Sequence, residues 1–168
     1  MTIERDLARL FVMNEKARRR HTNPWSVLTR ISAVPLLALS FWSRIWLDWW
    51  SLAPIAIAIL WLWLNPRIFP EPESTDNWAS KVVLGEWVRM NRKKVPIPRD
   101  HCLLPNIITV IGIIGSILFV YGLVVLHLWL TVLGGVVIMI SKLWYADRMV
   151  WLYEDMKDVT PEYKIWLY

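Results

Sequence analysis

Residues 31–64, ISAVPLLALSFWSRIWLDWWSLAPIAIAILWLWL, and residues 103–145, LLPNIITVIGIIGSILFVYGLVVLHLWLTVLGGVVIMISKLWY, are apolar almost throughout. A helix needs roughly 20 residues to cross the hydrocarbon of a bilayer. Each block is about twice that length, so two crossings per block fit better than one. The expected fold is all-α, a four-span transmembrane helical bundle made of two hairpins. The first block divides into 25–42 and 46–64 around Ser43, Arg44 and Ile45, the second into 106–126 and 128–145 around His127. Pro35 and Pro54 are expected to kink the first two spans, with neighbouring helices satisfying the freed carbonyls.

Charge sets the orientation. Arg5, Arg9, Lys16, Arg18, Arg19 and Arg20 precede the first span, and Arg67, Lys81, Arg89, Arg92, Lys93, Lys94 and Arg99 separate the hairpins. Arg148, Lys157 and Lys164 follow the last span, while the hairpin turns carry only Arg44. Lysine and arginine are retained on the cytoplasmic side of a membrane. The expectation is a cell-membrane protein with both termini cytoplasmic. It reads as a single integral membrane domain over 1–168. Its parts are a cytoplasmic amphipathic helix (1–24), the first hairpin (25–64), a cytoplasmic connecting segment (65–105), the second hairpin (106–145) and a cytoplasmic tail (146–168).

Composition agrees. Of the 168 residues, 56% are hydrophobic, with thirteen tryptophans and a net charge of +5, and the mean hydropathy is +0.37. Tryptophan favours membrane–water boundaries because its ring is apolar and its N–H needs a partner. Trp42, Trp46, Trp49, Trp50 and Trp129 would mark the outer boundary, and Trp25, Trp61, Trp63 and Trp144 the inner one, as an aromatic belt. In a membrane protein the positive charge speaks to orientation and anionic lipid, not to nucleic acid. The lone Cys102 excludes an intrachain disulfide and a four-cysteine metal site. No cleavable signal peptide is expected, since charge begins at Glu4.

Arg30 and Lys142 lie near inner span ends, where their heads can snorkel. Arg44 and Asp48 are spaced to pair weakly across the outer turn. Gly112, Gly115, Ser116, Gly134 and Gly135 let helices approach closely, as an intramolecular seam or, second, a homodimer face. The two halves also echo one another: a basic stretch, then His21 or His101, then a proline-led hairpin. That order suggests a pseudo-repeat, although charge bias alone also produces it.

On the cytoplasmic side, Ile3, Leu7, Leu10 and Phe11 form one face of an amphipathic helix. The prolines of 70–75 predict an extended linker. Thr75 or Asp76 would cap a helix over about 77–94 with Val83, Trp87 and Met90 as its apolar stripe. Glu86 falls on or beside that stripe and needs a partner, with Arg89 the nearest choice, or a raised pKa. The last span is expected to continue as helix through 146–157. Thr160 and Pro161 would start a short final helix, ending in Trp166 and Tyr168 docked at the membrane interface.

The stretches RHTNPWS (20–26), NPRIFP (65–70), WASKVVLGE (78–86) and DRMVWLYEDM (147–156) resemble those of a family of small multi-pass membrane proteins of unknown function. The resemblance spans nearly the whole chain. It implies a fold and no mechanism. Since all four stretches fall on the expected cytoplasmic side, a shared site would lie there.

The candidate polar set on that face is His21, Asn23, Asn65, Arg67, Asp76, Glu86, His101, Asp147, Arg148 and Asp155. Arg18, Arg19, Arg20, Arg92, Lys93 and Lys94 form basic clusters suited to anionic lipid, each worth about 1 kcal/mol near an anionic leaflet. The leading functional expectation is a non-catalytic accessory or lipid-associated component, contacting the bilayer, a homo-oligomeric copy or a larger membrane complex. The alternative is an enzyme or cofactor protein at the membrane interface, with a site built from His21, Glu86, His101 and Asp147. No resident cofactor is expected, because metal or haem at these residues would lack a ligand-spacing motif. A coupled carrier is disfavoured because the span cores hold no Asp or Glu. Neither a nucleophile elbow nor a phosphate-binding glycine loop is present.

Overall fold

The computed structural model describes residues 19–168. The expected amphipathic helix with Ile3, Leu7, Leu10 and Phe11, and Arg18 of the basic cluster, lie outside the described residues. Those described form helices α1 (Pro24–Ile31), α2 (Ala33–Trp42), α3 (Arg44–Leu47), α4 (Leu52–Ile68), α5 (Trp78–Met90), α6 (Asp100–Val124), α7 (Leu128–Met156) and α8 (Pro161–Ile165), with a 3-10 turn at Asp48–Ser51 and no strand.

Three helical stretches, Pro24–Asn65, Asp100–Val124 and Leu128–Met156, are long and apolar enough to cross a membrane. Their flanks are exposed and greasy: Leu39, Ile57, Ile59, Ile113, Ile117, Val120, Leu133 and Ile140 all face away from the protein. The first stretch is broken and folds back, since α2 packs on α4. Its two expected kinks do not fall mid-helix. Pro35 and Pro54 each occupy the first turn of a new helix, where a missing N–H costs nothing because it had no intrahelical partner. The breaks fall instead at Ser32 and across Ser43–Ser51.

The expected Arg44–Asp48 pair is not what the turn uses. The Arg44 guanidinium donates to the carbonyls of Leu123 and Val124. It caps the carboxyl end of α6, where orphan carbonyls and the helix dipole favour a cation. Helix α6 starts before the expected position and carries Pro105 internally.

The α6–α7 pair is the most extensive interface, followed by α5 on α7. Close approach explains both. A β-carbon at Gly134 would overlap the Phe119 backbone, and one at Gly85 would overlap the Met149 carbonyl. The glycines thus form an intramolecular seam, with Gly115 facing Val137. Trp42 adds a link between the hairpins, its indole N–H 3.4 Å from Thr131 Oγ1.

Beyond the apolar stretches, α5, the extended end of α7 and α8 enclose a conventional core of Val82, Leu84, Val88, Met149, Leu152, Tyr153, Met156 and Tyr163. Helix α5 buries Val83 as expected, but Met90 is exposed. Its cap is Asn77, whose side chain accepts from Ser80 N–H at 2.9 Å. Asp76 instead pairs with Lys81 at 2.6 Å. Thr160 does cap α8, accepting from Tyr163 N–H at 3.2 Å. The final aromatics turn onto the protein. Trp166 stacks edge-on against Trp87 at 5.4 Å; the Tyr168 carbonyl accepts from Thr75 N–H, and Tyr168 N–H donates to Thr75 Oγ1.

Candidate functional site

The polar residues singled out in the sequence separate into three groups. The first ties α1 to its neighbours. Asn23 caps α1, accepting from Trp25 N–H at 2.9 Å, and its amide donates to the Pro70 carbonyl at 3.0 Å. Asn65 is fully buried. It accepts from Ser26 Oγ at 3.1 Å and donates to Thr29 Oγ1 at 2.6 Å, joining α4 to α1. Ser80 Oγ donates to the Thr22 carbonyl at 2.6 Å. A buried amide left without partners would cost about 1–3 kcal/mol, and here each is engaged.

The second group is ionic. Lys81 bridges Asp76 and Glu154, at 2.6 and 2.7 Å, and Lys157 reaches Glu154 at 2.6 Å. Hydrogen bonds donated to Asp76 and Glu154 hold the Lys81 ammonium above its ordinary pKa. His101 Nε2 meets Asp155 at 2.8 Å. Asp147 pairs with its neighbour Arg148 at 3.0 Å. Arg67 curls onto its own helix, bonding the Trp63 carbonyl and covering the Trp63 ring at 4.2 Å.

His21 and Glu86 face a different place. Helices α1, α5 and α7 leave a cavity of about 200 Å³ between them, lined by Arg30, Glu86, Lys142 and Tyr145 with the aliphatic walls Val27 and Val82. Arg30 does not snorkel away from it. Its Nη1 lies 2.7 Å from His21 Nε2, and its Nε donates to the Ser26 carbonyl at 3.0 Å. Burial first, and the adjacent Arg30 charge second, push the His21 pKa down to about 3. The ring is neutral at ordinary pH and Nε2 accepts from the guanidinium. Burial pushes the Glu86 carboxyl above the carboxylate range, with Arg30, Lys142 and Arg89 opposing it. Arg89, the expected partner, turns away: it donates to Asn106 Oδ1 at 2.6 Å and lies over the Tyr145 ring.

The four residues of the expected interfacial site are therefore dispersed. His21 stands on Arg30, Glu86 lines the cavity, His101 pairs with Asp155 and Asp147 with Arg148. Among the described residues no three His, Cys, Asp or Glu side chains converge on a point where a metal would sit. In the basic clusters, Lys93 and Lys94 are exposed. Arg92 reaches the Arg89 carbonyl, Arg20 reaches the Arg67 carbonyl, and Arg19 edges a groove beside Trp87 and Trp166.

Sequence reasoning treated Arg30 and Lys142 separately, each as a charge seeking water. What it missed is that both converge on Glu86. The available signal was the coincidence of an acid on an apolar stripe with two cations inside apolar runs.

An all-helical chain with three stretches fit to cross a bilayer, and a hydrogen-bonded polar layer at one end, has the character of a membrane protein. The chain belongs to the family of unknown function DUF6653, which matches residues 2–165. No curated protein and no solved structure is detectably similar to it.

Proposed function

We propose that this chain is a four-span, non-catalytic accessory or lipid-associated component of the cell membrane, with both termini and the α4–α6 connection on the cytoplasmic side. The observation that carries the reading is the use made of the polar layer. Asn23, Asn65, Thr75 and Ser80 spend their hydrogen bonds joining distant segments to one another. Side chains committed to neighbours in this way build a scaffold, and a catalytic group must instead reach a reacting atom.

Four crossings are supported by the packing of α2 on α4, which makes a hairpin of the first apolar stretch. Orientation is supported by the lysine and arginine bias. The exposed Trp46, Trp49, Trp50 and Trp129 at the turns suit an aromatic belt on the opposite face. Lys93 and Lys94 suit contact with an anionic leaflet.

Topology mapping tests this directly. A cysteine at Lys93 in a Cys102→Ser background should react with a membrane-impermeant maleimide only after the membrane is opened. A cysteine at Trp49 should react in intact cells. Labelling of Lys93→Cys from outside would overturn the orientation. For the non-catalytic role, native mass spectrometry of the detergent-purified protein should find a partner subunit or retained lipid. A stoichiometric metal or haem lost on His21→Ala would overturn it.

A further inference from the structure

The cavity between α1, α5 and α7 holds more positive than negative charge. Arg30 and Lys142 bring two cations to one carboxylate, Glu86. Among the described residues, neither cation forms an ion pair with Glu86, and the Lys142 ammonium makes no hydrogen bond. Arg30 uses Nε and Nη1 on Ser26 and His21, leaving N–H donors of its five unspent. Glu86 can offset at most one of the two cations, since it brings a single carboxylate. His21 contributes no charge, being neutral. Uncompensated positive charge beside apolar walls is costly unless an anion meets it.

Trp78 and Leu143, which also line the cavity, are exposed and give it an apolar edge on the outside of the bundle. Lys142 stands about 21 Å along α7 from Leu128, at 1.5 Å per residue. In a bilayer about 30 Å thick, its extended side chain then comes close to the headgroup layer. An ammonium beside a planar guanidinium suits the oxygens of a phosphate. The volume takes a headgroup and leaves acyl chains outside, along α7.

We infer that this cavity binds the phosphate of an anionic phospholipid, gripped by Arg30 and Lys142 and entering sideways from the bilayer. The inference rests on the bilayer reading above and adds a specific, stoichiometric lipid site to it. This differs from loose attraction to Lys93 and Lys94, which any anionic leaflet would produce.

The test uses the full chain, purified in detergent and exposed to phosphatidylglycerol, phosphatidylcholine or inorganic phosphate, with retention read by native mass spectrometry. One phosphatidylglycerol should be retained per chain in preference to phosphatidylcholine. Lys142→Gln should lower that occupancy by about tenfold, the loss of one charge-assisted contact. Lys142→Arg should keep it, and Lys93→Gln should leave it unchanged. Arg30→Lys, which preserves charge and discards the fork, should weaken retention and provides a second variant should Lys142→Gln fail to fold. Equal retention of both lipids, or retention unaltered by Lys142→Gln and Arg30→Lys, would overturn the site. Thermal stabilisation by inorganic phosphate with no lipid retained would overturn the lipid as its source. The maleimide topology result stands apart from each of these outcomes, so failure here leaves the bilayer reading intact.

Discussion

In the α6–α7 hairpin the helices touch through backbone, whereas the first hairpin is fastened by side-chain hydrogen bonds near one end. Gly115, Gly122 and Gly134 bring α6 and α7 together along their length. The first apolar stretch has no glycine and is broken at Ser32 and across Ser43–Ser51, and its two ends are tied together by Asn65 of α4 to Ser26 and Thr29 of α1. Backbone contact gives rigidity that no rotamer change can relieve. A hydrogen-bonded knot can be loosened one partner at a time. The contrast makes α6–α7 the frame, and the first hairpin a unit tied to itself at its polar end and linked to that frame by Trp42 and Arg44 at its turn.

Overfilling the seam should produce the largest effect. Gly134→Val places a branched side chain on the Phe119 backbone, and overpacking of this kind costs about 3 kcal/mol. A loss of that size should be visible in thermal unfolding followed by circular dichroism in detergent. Gly135→Ala and Gly112→Ala meet only ordinary contacts, at 3.6 and 3.5 Å, and should be close to neutral. If Gly135→Ala instead abolished a dimer while Gly134→Val left the monomer stable, the seam would have to be intermolecular.

Removing the knot should come next. Asn65→Ala strands the buried Ser26 hydroxyl, while Thr29 keeps its bond to the Trp25 carbonyl, and should cost about 2 kcal/mol. Because Asn65 and Gly134 share no partners, their effects should add when combined. Strong coupling between them would show that the two hairpins fold as one unit and would erase the distinction between frame and attachment.

Acid should act through the same end of the first hairpin. His21 is neutral in the fold, with its pKa depressed from 6.5 to about 3. Between those values the unfolded chain binds the additional proton, so stability is complete above pH 6.5 and falls as pH drops toward 3. Glu86 works in the opposite direction. Its carboxyl pKa is raised in the fold, so its unfavourable contribution grows as pH rises through that elevated value. His21→Gln retains an acceptor for Arg30 and should flatten the acid limb of a melting-temperature profile. Glu86→Gln should remove the loss of stability that begins as pH rises above 4.5. An unchanged acid limb in His21→Gln would place the sensitivity in other groups.

Much of this arrangement was legible in the sequence, and the exceptions have a common cause. Apolar run length marks where helix can cross a bilayer, and small residues mark where helices can touch. Both signals are local and survive without knowledge of the partner. The cap at Thr160 is local too, but at α5 the sequence pointed to Thr75 or Asp76, whereas Asn77 is the cap and Lys81 claims Asp76. The break at Ser43 follows from run length as well, but the one at Ser32 carries no such mark, because proline reads equally as a kink or as the start of a helix. The charged cavity was illegible for a different reason. Residues 30, 86 and 142 stand on three separate elements, and only packing of α5 on α7 and of α1 on α5 brings them together. Considered singly, a cation near a span end is explained by snorkelling, and nothing prompts a search for its partner.

The two turns supply the smallest and most direct comparison. Both hairpins close through a non-glycine residue at positive φ, Asp48 at 47° and Leu126 at 54°. A side chain there crowds the neighbouring carbonyl at a cost of about 1 kcal/mol. At Leu126 the following N–H, from His127, bonds back to the Gly122 carbonyl at 2.9 Å, a helix ending that glycine usually serves. Leu126→Gly should therefore raise stability by about 1 kcal/mol or less, the gain being trimmed by the greater freedom glycine gives the unfolded chain. Asp48→Gly should gain as well, since the Ser51 hydroxyl bonds the Asp48 backbone carbonyl and not its carboxylate. If the second hairpin is the rigid frame, Leu126→Gly should slow its unfolding, and hydrogen exchange at Val125 and His127 should slow with it. Asp48→Gly should leave those amides unaffected. Slowing of both turns by either substitution would mean that the hairpins open together, and the division between a backbone-packed frame and a side-chain-fastened partner would be lost.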